Sequence, residues 1–348
     1  MRTNMRTQTP KTARTAAPLR RRSAGRAARC SERSQPQLSG TMRILGFGRY
    51  AVSICVASAV FAGCGALPLS LSKGQDDMQP PIGARAAMSI EGPCIYLLST
   101  TEGASNLSNA QIHARRCYIY INDTANMSYS TITAAKILYG GSPPNEMGAT
   151  FPEATPAPGP TVKDPCPKIP GCSYLLKHPP ATSGCSPGNF NGNGLTIGGP
   201  GEVTCFSTLT ISGENETVCG LIEITGSQLH LQGSSITSCS SGVTFAMSSN
   251  TSDTNFSDST LTLSAPQTGH QKDVLLYRVK SQSNSVNFST CSCDFTGILY
   301  FPTTPVDYAE TACNRQLLIF GQANLSNSEP LCFGRPYAQR LFSEIVRS

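Results

Sequence analysis

From Leu195 to Leu263 the chain keeps restating one short motif: a short run of β-favouring residues, then a turn on Gly, Asn or Ser. The runs, three or four residues long apart from one of seven, are Leu195-Thr196-Ile197, Val203–Phe206, Leu209-Thr210-Ile211, Val218–Ile224, Leu229-His230-Leu231, Ser235-Ile236-Thr237, Val243–Ala246 and Leu261-Thr262-Leu263. Segments this short have too little apolar surface to fold alone. Stacked as rungs, each turning its alternate aliphatics inward, they share one continuous core. The pattern therefore predicts an all-β fold, a single-stranded parallel β-helix (β-solenoid). A β-sandwich is the alternative, and it requires longer strands and clearer hairpin turns than these runs supply. Helical periodicity is absent from the same stretch.

The texture extends in both directions. Upstream lie Ile95–Leu98, Ala110–Ala114, Cys117–Ile121, Ser130–Ala134 and Lys136–Gly141; downstream lie Val274–Tyr277, Val286–Phe288, Gly297–Pro302 and Gln316–Phe320. Residues 142–194 interrupt it. Pro143-Pro144, Thr155–Pro160, Pro165-Cys166-Pro167 and Pro179-Pro180 mark a Pro/Cys-rich excursion, because proline cannot donate to a sheet ladder. The expected organisation is a β-solenoid domain over 91–335 carrying that excursion. A terminal helix or tail follows at 336–348, where a helix would cover the open end of the solenoid.

The N-terminal quarter has a different character. Residues 42–63 read as a lipoprotein signal peptide: Arg43 and Arg49, an uncharged run from Tyr50 to Ala62, then Phe61, Ala62 and Gly63 directly before Cys64. Small residues at the cut and a thiol on the next residue are what a lipoprotein signal peptidase requires. Cys64 is the expected lipidation site, so acyl chains rather than a spanning helix would hold the protein at the membrane. Residues 64–90 read as the lipidated tether. Residues 1–41, rich in Arg, Thr and Ala, are expected to be a non-native upstream or disordered basic segment.

This division changes the meaning of the charge. The whole chain carries a formal +6, but twelve of its 27 basic residues lie before Cys64 with only Glu32 opposing them. From Cys64 onward acidic residues outnumber basic ones, which excludes a basic nucleic-acid surface. Cysteine usage points to an oxidising compartment. Twelve follow Cys64, an even number, and Cys94 with Cys117 and Cys166 with Cys172 are the expected disulfides. Cys291-Ser292-Cys293 does not have zinc-knuckle spacing, and no metal or cofactor is expected.

The catalytic case is weak. A β-helix that cleaves polysaccharide needs convergent carboxylates on neighbouring rungs. Glu214, Glu216 and Glu223 are close in sequence, but Glu214 and Glu216 are expected as solvated turn residues. His270–Asp273 reads as a loop, and His113 and His230 as rung-edge side chains. Nucleophile-elbow, phosphate-loop and His-Glu-x-x-His motifs are absent. Eight Asn-x-Ser/Thr triplets begin at Asn106, Asn122, Asn126, Asn215, Asn250, Asn255, Asn287 and Asn324. Beside a bacterial-type lipobox they read as turn chemistry rather than glycosylation sites.

Six cues occur in order: Cys94-Ile95-Tyr96-Leu97, Cys117 to Tyr120, the Pro-rich excursion, Leu209 to Gly213, Val274 to Tyr277, and Gly297 to Pro302. In them the chain resembles the exported β-solenoid domain of bacterial tight-adherence (Flp) pilus-associated TadE/TadG-like proteins, over roughly residues 92–326. It departs in having a lipobox where that pattern has an uncleaved apolar helix, and in its cysteine-rich, less regular rungs. The resemblance implies a surface-located, non-catalytic body and carries over no catalytic residue. The expected function is a bacterial cell-envelope lipoprotein with a structural or adhesive role. A polysaccharide-binding or polysaccharide-degrading β-helix is the alternative. The expected partners are the membrane, through lipid on Cys64, and an envelope protein or glycan, with no nucleic acid.

Overall fold

The computed structural model describes residues 92–101, 105–278, 285–308, 313–325 and 331–333. The signal peptide, Cys64, the tether and the 336–348 segment lie outside the described residues. In chain order the elements are β1 (Pro93–Leu97), β2 (Gln111–Ile121), β3 (Thr131–Tyr139), β4 (Pro156–Pro158), a 3-10 turn at Cys166–Lys168, α1 (Pro170–Lys177), β5 (Ser186–Phe190) and β6 (Thr196–Ile197). They continue with β7 (Val203–Ile211), β8 (Glu216–Leu231), β9 (Ser235–Met247), β10 (Asp253–Asn255), β11 (Thr260–Ser264), β12 (Val274–Arg278), β13 (Val286–Asn287), β14 (Ser292–Asp307), β15 (Cys313–Asn324) and β16 (Leu331–Phe333).

All strand pairings are parallel, and the strands wind into a β-solenoid of about 10 turns. At about 4.8 Å per turn this is a body roughly 5 nm long. Each turn has three faces. In β8, residues 216–218, 220–224 and 228–231 pair with three separate stretches of the neighbouring turns. Inward positions stack in columns. One column runs Ile222, Phe245, Leu276, Leu299, Leu318, Ile95, Ile119 and Ile137, all almost completely buried.

That column does not follow chain order. The stack runs β7, β8, β9, β12, β14, β15 and only then β1, β2, β3 and β4. Ile95 lies between Leu318 and Ile119, so the first described strand is interior to the stack. The turn that makes this junction is assembled from both ends of the described chain. Strand β16 supplies one face, pairing with β15 through Cys313 and with β2 through Ile112, and β1 supplies the next. A terminal helix at 336–348 was expected to cover the solenoid's open end. That segment lies outside the described residues, which end at Phe333 in an interior turn, and among the described residues the open ends belong to β4 and β5.

The excursion is shorter than 142–194. Asn145 and Thr150 bridge to Asn126 and Thr131, and Pro156–Pro158 pairs with β3 as a last strand. Among the described residues strand β4 has no partner on its outer side, and an edge strand tolerates proline. Residues 159–185 then run back along the outside as a strap. They touch successive turns in reverse, from Asn122, which bonds Val162, to Asn250, which bonds Thr182, and to Cys205, bridged to Cys185.

One corner explains five of the Asn-x-Ser triplets. Asn255, Asn287, Asp307, Asn324, Asn106, Asn126 and Asn145 occupy successive turns at one position. From Asp307 onward each amide bridges to the turn before it. Asn324 Nδ2 donates to Asp307 Oδ1 at 3.0 Å, Asn106 to Asn324 at 3.3 Å, Asn126 to Asn106 at 3.3 Å and Asn145 to Asn126 at 3.2 Å. Asn106, Asn126, Asn255 and Asn287 also accept the N–H of the Ser two residues on, closing an Asx turn. The residue between points inward: Leu107, Met127, Phe256, Phe288 and Leu325 are all fully buried. Asn-apolar-Ser is therefore a corner signature of this solenoid.

Cysteines staple neighbouring turns. Cys94–Cys117, Cys185–Cys205 and Cys219–Cys239 each join adjacent turns, with Cα–Cα distances of 5.6, 5.6 and 5.4 Å. Cys166–Cys172 closes the base of α1, and Cys291–Cys293 pairs within one strand region.

Candidate functional site

The outward side of the second face is unusual for a solenoid because it is apolar. In register it reads Ala246, Tyr277, Tyr300, Ile319, Tyr96, Tyr120 and Leu138. Tyr277 stacks on Tyr300 with ring centroids 5.3 Å apart, and Tyr96 on Tyr120 at 5.6 Å. Parallel pairing in register forces this, since identical side chains at one strand position lie one rung apart.

The strap covers the first part of the stripe. Cys166, Ile169, Cys172 and Leu175 pack on Tyr96, Tyr277, Ile298 and Tyr300 to form a second apolar core outside the first. Polar bonds fix the strap in place. Val162 N–H donates to Asn122 Oδ1 at 2.8 Å while Asn122 Nδ2 returns a bond to the Val162 carbonyl at 2.7 Å. The Tyr300 hydroxyl donates to Asp164 Oδ2 at 2.7 Å, and Cys166 N–H donates to Asp164 Oδ1 at 2.9 Å. Burial, with Asp164 nearby, pushes the Tyr277 phenol up to about 12. Burial and the bond to Asp164 raise Tyr300 further, and burial with Tyr120 beside it raises Tyr96.

The strap does not seal the face. Between it and the corner of the solenoid lies a cavity of about 450 Å³ lined by Leu98, Val162, Asp164, Leu176, Tyr300 and Pro302. A second lobe of about 280 Å³ shares Leu98, Pro302 and Thr303 and adds Ser99, Thr100, Thr101 and Gln322. Three separate stretches converge here: the turn after β1, the strap, and the turns of β14 and β15. The cleft exists only because β1 stacks on β15. Beyond the strap, Tyr118, Tyr120 and Leu138 continue the stripe half-exposed.

The residues weighed for catalysis do not meet. Glu214 is exposed in a turn, its N–H held by Asn193 Oδ1 at 3.2 Å. Glu216 was expected to be solvated beside it. It is instead fully buried at the start of β8, with neither carboxylate oxygen hydrogen-bonded. Alternation along the strand turns it inward one residue after the turn. Glu223 lies on another face, half-buried, and burial raises its pKa. His270 stacks against Tyr174 of α1 at 4.6 Å, and Lys272 pairs with Asp273 at 3.7 Å. His113 is half-buried on the first face, and His230 Nε2 lies 2.8 Å from Asp253 Oδ2 at the opposite end of the stack from Tyr120. Among the described residues no group of three His, Cys, Asp or Glu side chains is placed to hold a metal. The structure pairs Cys94 with Cys117 and Cys166 with Cys172.

Sequence reasoning missed the cleft. Its only local signal is the tyrosine at one position of four strands, Tyr96, Tyr120, Tyr277 and Tyr300, and this becomes a stripe only once register is known. No protein-family model, curated protein or solved structure matches the chain.

Proposed function

We propose that this protein is a bacterial cell-envelope lipoprotein whose solenoid serves a structural or adhesive surface role without catalysis. The observation that carries the reading is the junction at β1. The Cys64 lipid and the 64–90 tether lead into Pro93, which sits inside the stack rather than at an end. Supporting this are the inter-turn disulfides, which suit an exported protein. Among the described residues no helix is long and apolar enough to cross a membrane. Asn106, Asn126 and Asn324 support non-glycosylating export, since a glycan would compete with amides that bridge between turns. The carboxylates' separation onto different faces supports a non-catalytic body. The resemblance to pilus-associated exported domains points the same way.

Expression from Met42 in a bacterial host, wild type beside Cys64→Ser, tests the anchor. A membrane-bound species with acyl mass on Cys64, lost in the variant, is expected. A soluble or unacylated product in both would remove the lipoprotein reading.

A further inference from the structure

The adhesive reading above leaves open what is gripped, and this inference rests on that reading. We propose that the composite cleft, with the Tyr118–Tyr120 platform beside it, binds a short stretch of neutral glycan. A pyranose ring offers a flat C–H face edged by hydroxyls, so it needs an apolar plate next to fixed hydrogen-bond acceptors and donors. Tyr120 is such a plate. Its ring is backed by Tyr96 and flanked edge-on by Tyr118 at 6.2 Å, which holds it rigid while leaving it half-exposed. Tyrosine at a wet interface combines an apolar body with a polar tip.

The cleft beside the plate supplies the polar groups. Leu98 and Val162 line the cavity and, like Tyr120, pack against the second apolar core. Asp164 is locked by one bond to each carboxylate oxygen, and each oxygen keeps a lone pair for a sugar hydroxyl. Thr100, Thr101 and Gln322 line the second lobe with hydroxyl and amide groups. A cleft that is mostly apolar with a few convergent polar groups has the make-up of a small-ligand site.

Charge selects the glycan class. Among the described residues Asp164 is the one charged side chain lining either lobe, so uronic-acid polymers meet like charge there while neutral hexose chains do not. Lys136 lines neither lobe; its Nζ lies over the Tyr118 ring of the platform, 5.1 Å from the centroid. The cleft draws on the turn after β1, the strap and the late turns together, so binding also reports that the solenoid is closed.

The test is titration of the full chain with cellohexaose, mannohexaose, chitohexaose and a galacturonic-acid hexamer. At least one neutral hexamer is expected to bind and the acidic one is not. Tyr120→Ala is expected to weaken that binding about tenfold, equivalent to about 1.4 kcal/mol, while Tyr120→Phe preserves it. Failure of every neutral hexamer at millimolar concentration, preference for the acidic one, or unchanged binding in Tyr120→Ala overturns the assignment. Beads coated with wild type or Tyr120→Ala and applied to bacterial envelopes test the adhesive reading separately. Equal adhesion by both keeps that reading and removes the glycan cleft. Adhesion by neither removes the adhesive reading itself.

Discussion

Ile95→Asp is expected to divide the molecule in two. Ile95 is fully buried and sits between Leu318 and Ile119, where β1–β4 stack on β15. An unpaired carboxylate there has no hydrogen-bonding partner and no water, so the cost is on the order of 4 kcal/mol or more. Ile95→Val, which only trims a methylene, is expected to cost about 1 kcal/mol. Solenoid stability is close to a sum over neighbouring turns, so the damage should localise. Chemical denaturation should show a partly unfolded species, and limited proteolysis should cut within 93–160 while leaving 203–324 intact. Loss confined to fraying of a few residues at the N-terminal side would mean that β1 is a free end and not a joint.

Gly171→Val is expected to lift the strap. Any Cβ at Gly171 meets the Lys272 carbonyl oxygen and the Gln271 carbonyl carbon, which are backbone atoms that cannot swing aside. The helix has little room to retreat, since Cys166–Cys172 closes its base and Ile169 and Leu175 are buried on its inner side. Overpacking of this kind costs about 3 kcal/mol or more. Lys177→Ala, exposed on the same helix, should stay within about 0.5 kcal/mol of wild type. The tyrosines give a direct readout. Tyr277 is held near 12 by burial first and by Asp164 second, so uncovering it should bring its ionisation back toward about 10. The sign follows: the folded wild type keeps this phenol neutral in the window between the two values, where the variant ionises. Spectrophotometric titration of tyrosinate should show one or more phenols moving down by more than one pH unit in Gly171→Val and none in Lys177→Ala.

Much of the solenoid was legible from residue pattern because a rung is a local object. Ile95–Leu98, Cys117–Ile121, Val243–Ala246 and Gln316–Phe320 each alternate or run apolar over a few residues and end on a turn, and each became a strand. Stacking order was not legible, for the same reason. Every rung presents a similar aliphatic inner face, so nothing local tells Ile95 to pack on Leu318. What specifies the order is long-range and particular: the Asn324–Asn106 bridge, the shared turn of β1 and β16, and the strap that carries the chain back. The strands β10 and β4 were invisible because Asp253-Thr254-Asn255 and Pro156-Ala157-Pro158 have poor β propensity and depend on neighbours for their pairing. Glu216 was misread because a carboxylate next to a turn is ordinarily solvated, and only the register turns it inward. The cleft was hidden on both counts, as a product of order and of the strap's path.

Amide hydrogen exchange resolved to peptides reads the junction without altering the protein. The backbone around β1 is bonded on both sides: Leu98 N–H donates to the Phe320 carbonyl at 2.8 Å and Asn122 N–H to the Leu97 carbonyl at 2.9 Å. Amides of 95–98 should therefore exchange as slowly as those of 318–321 and far more slowly than those of 186–190, which lie at an open end. Rapid exchange at 95–98 together with strong protection at 186–190 would show the turns stacked in chain order, and would contradict both the flank attachment and the cleft built upon it.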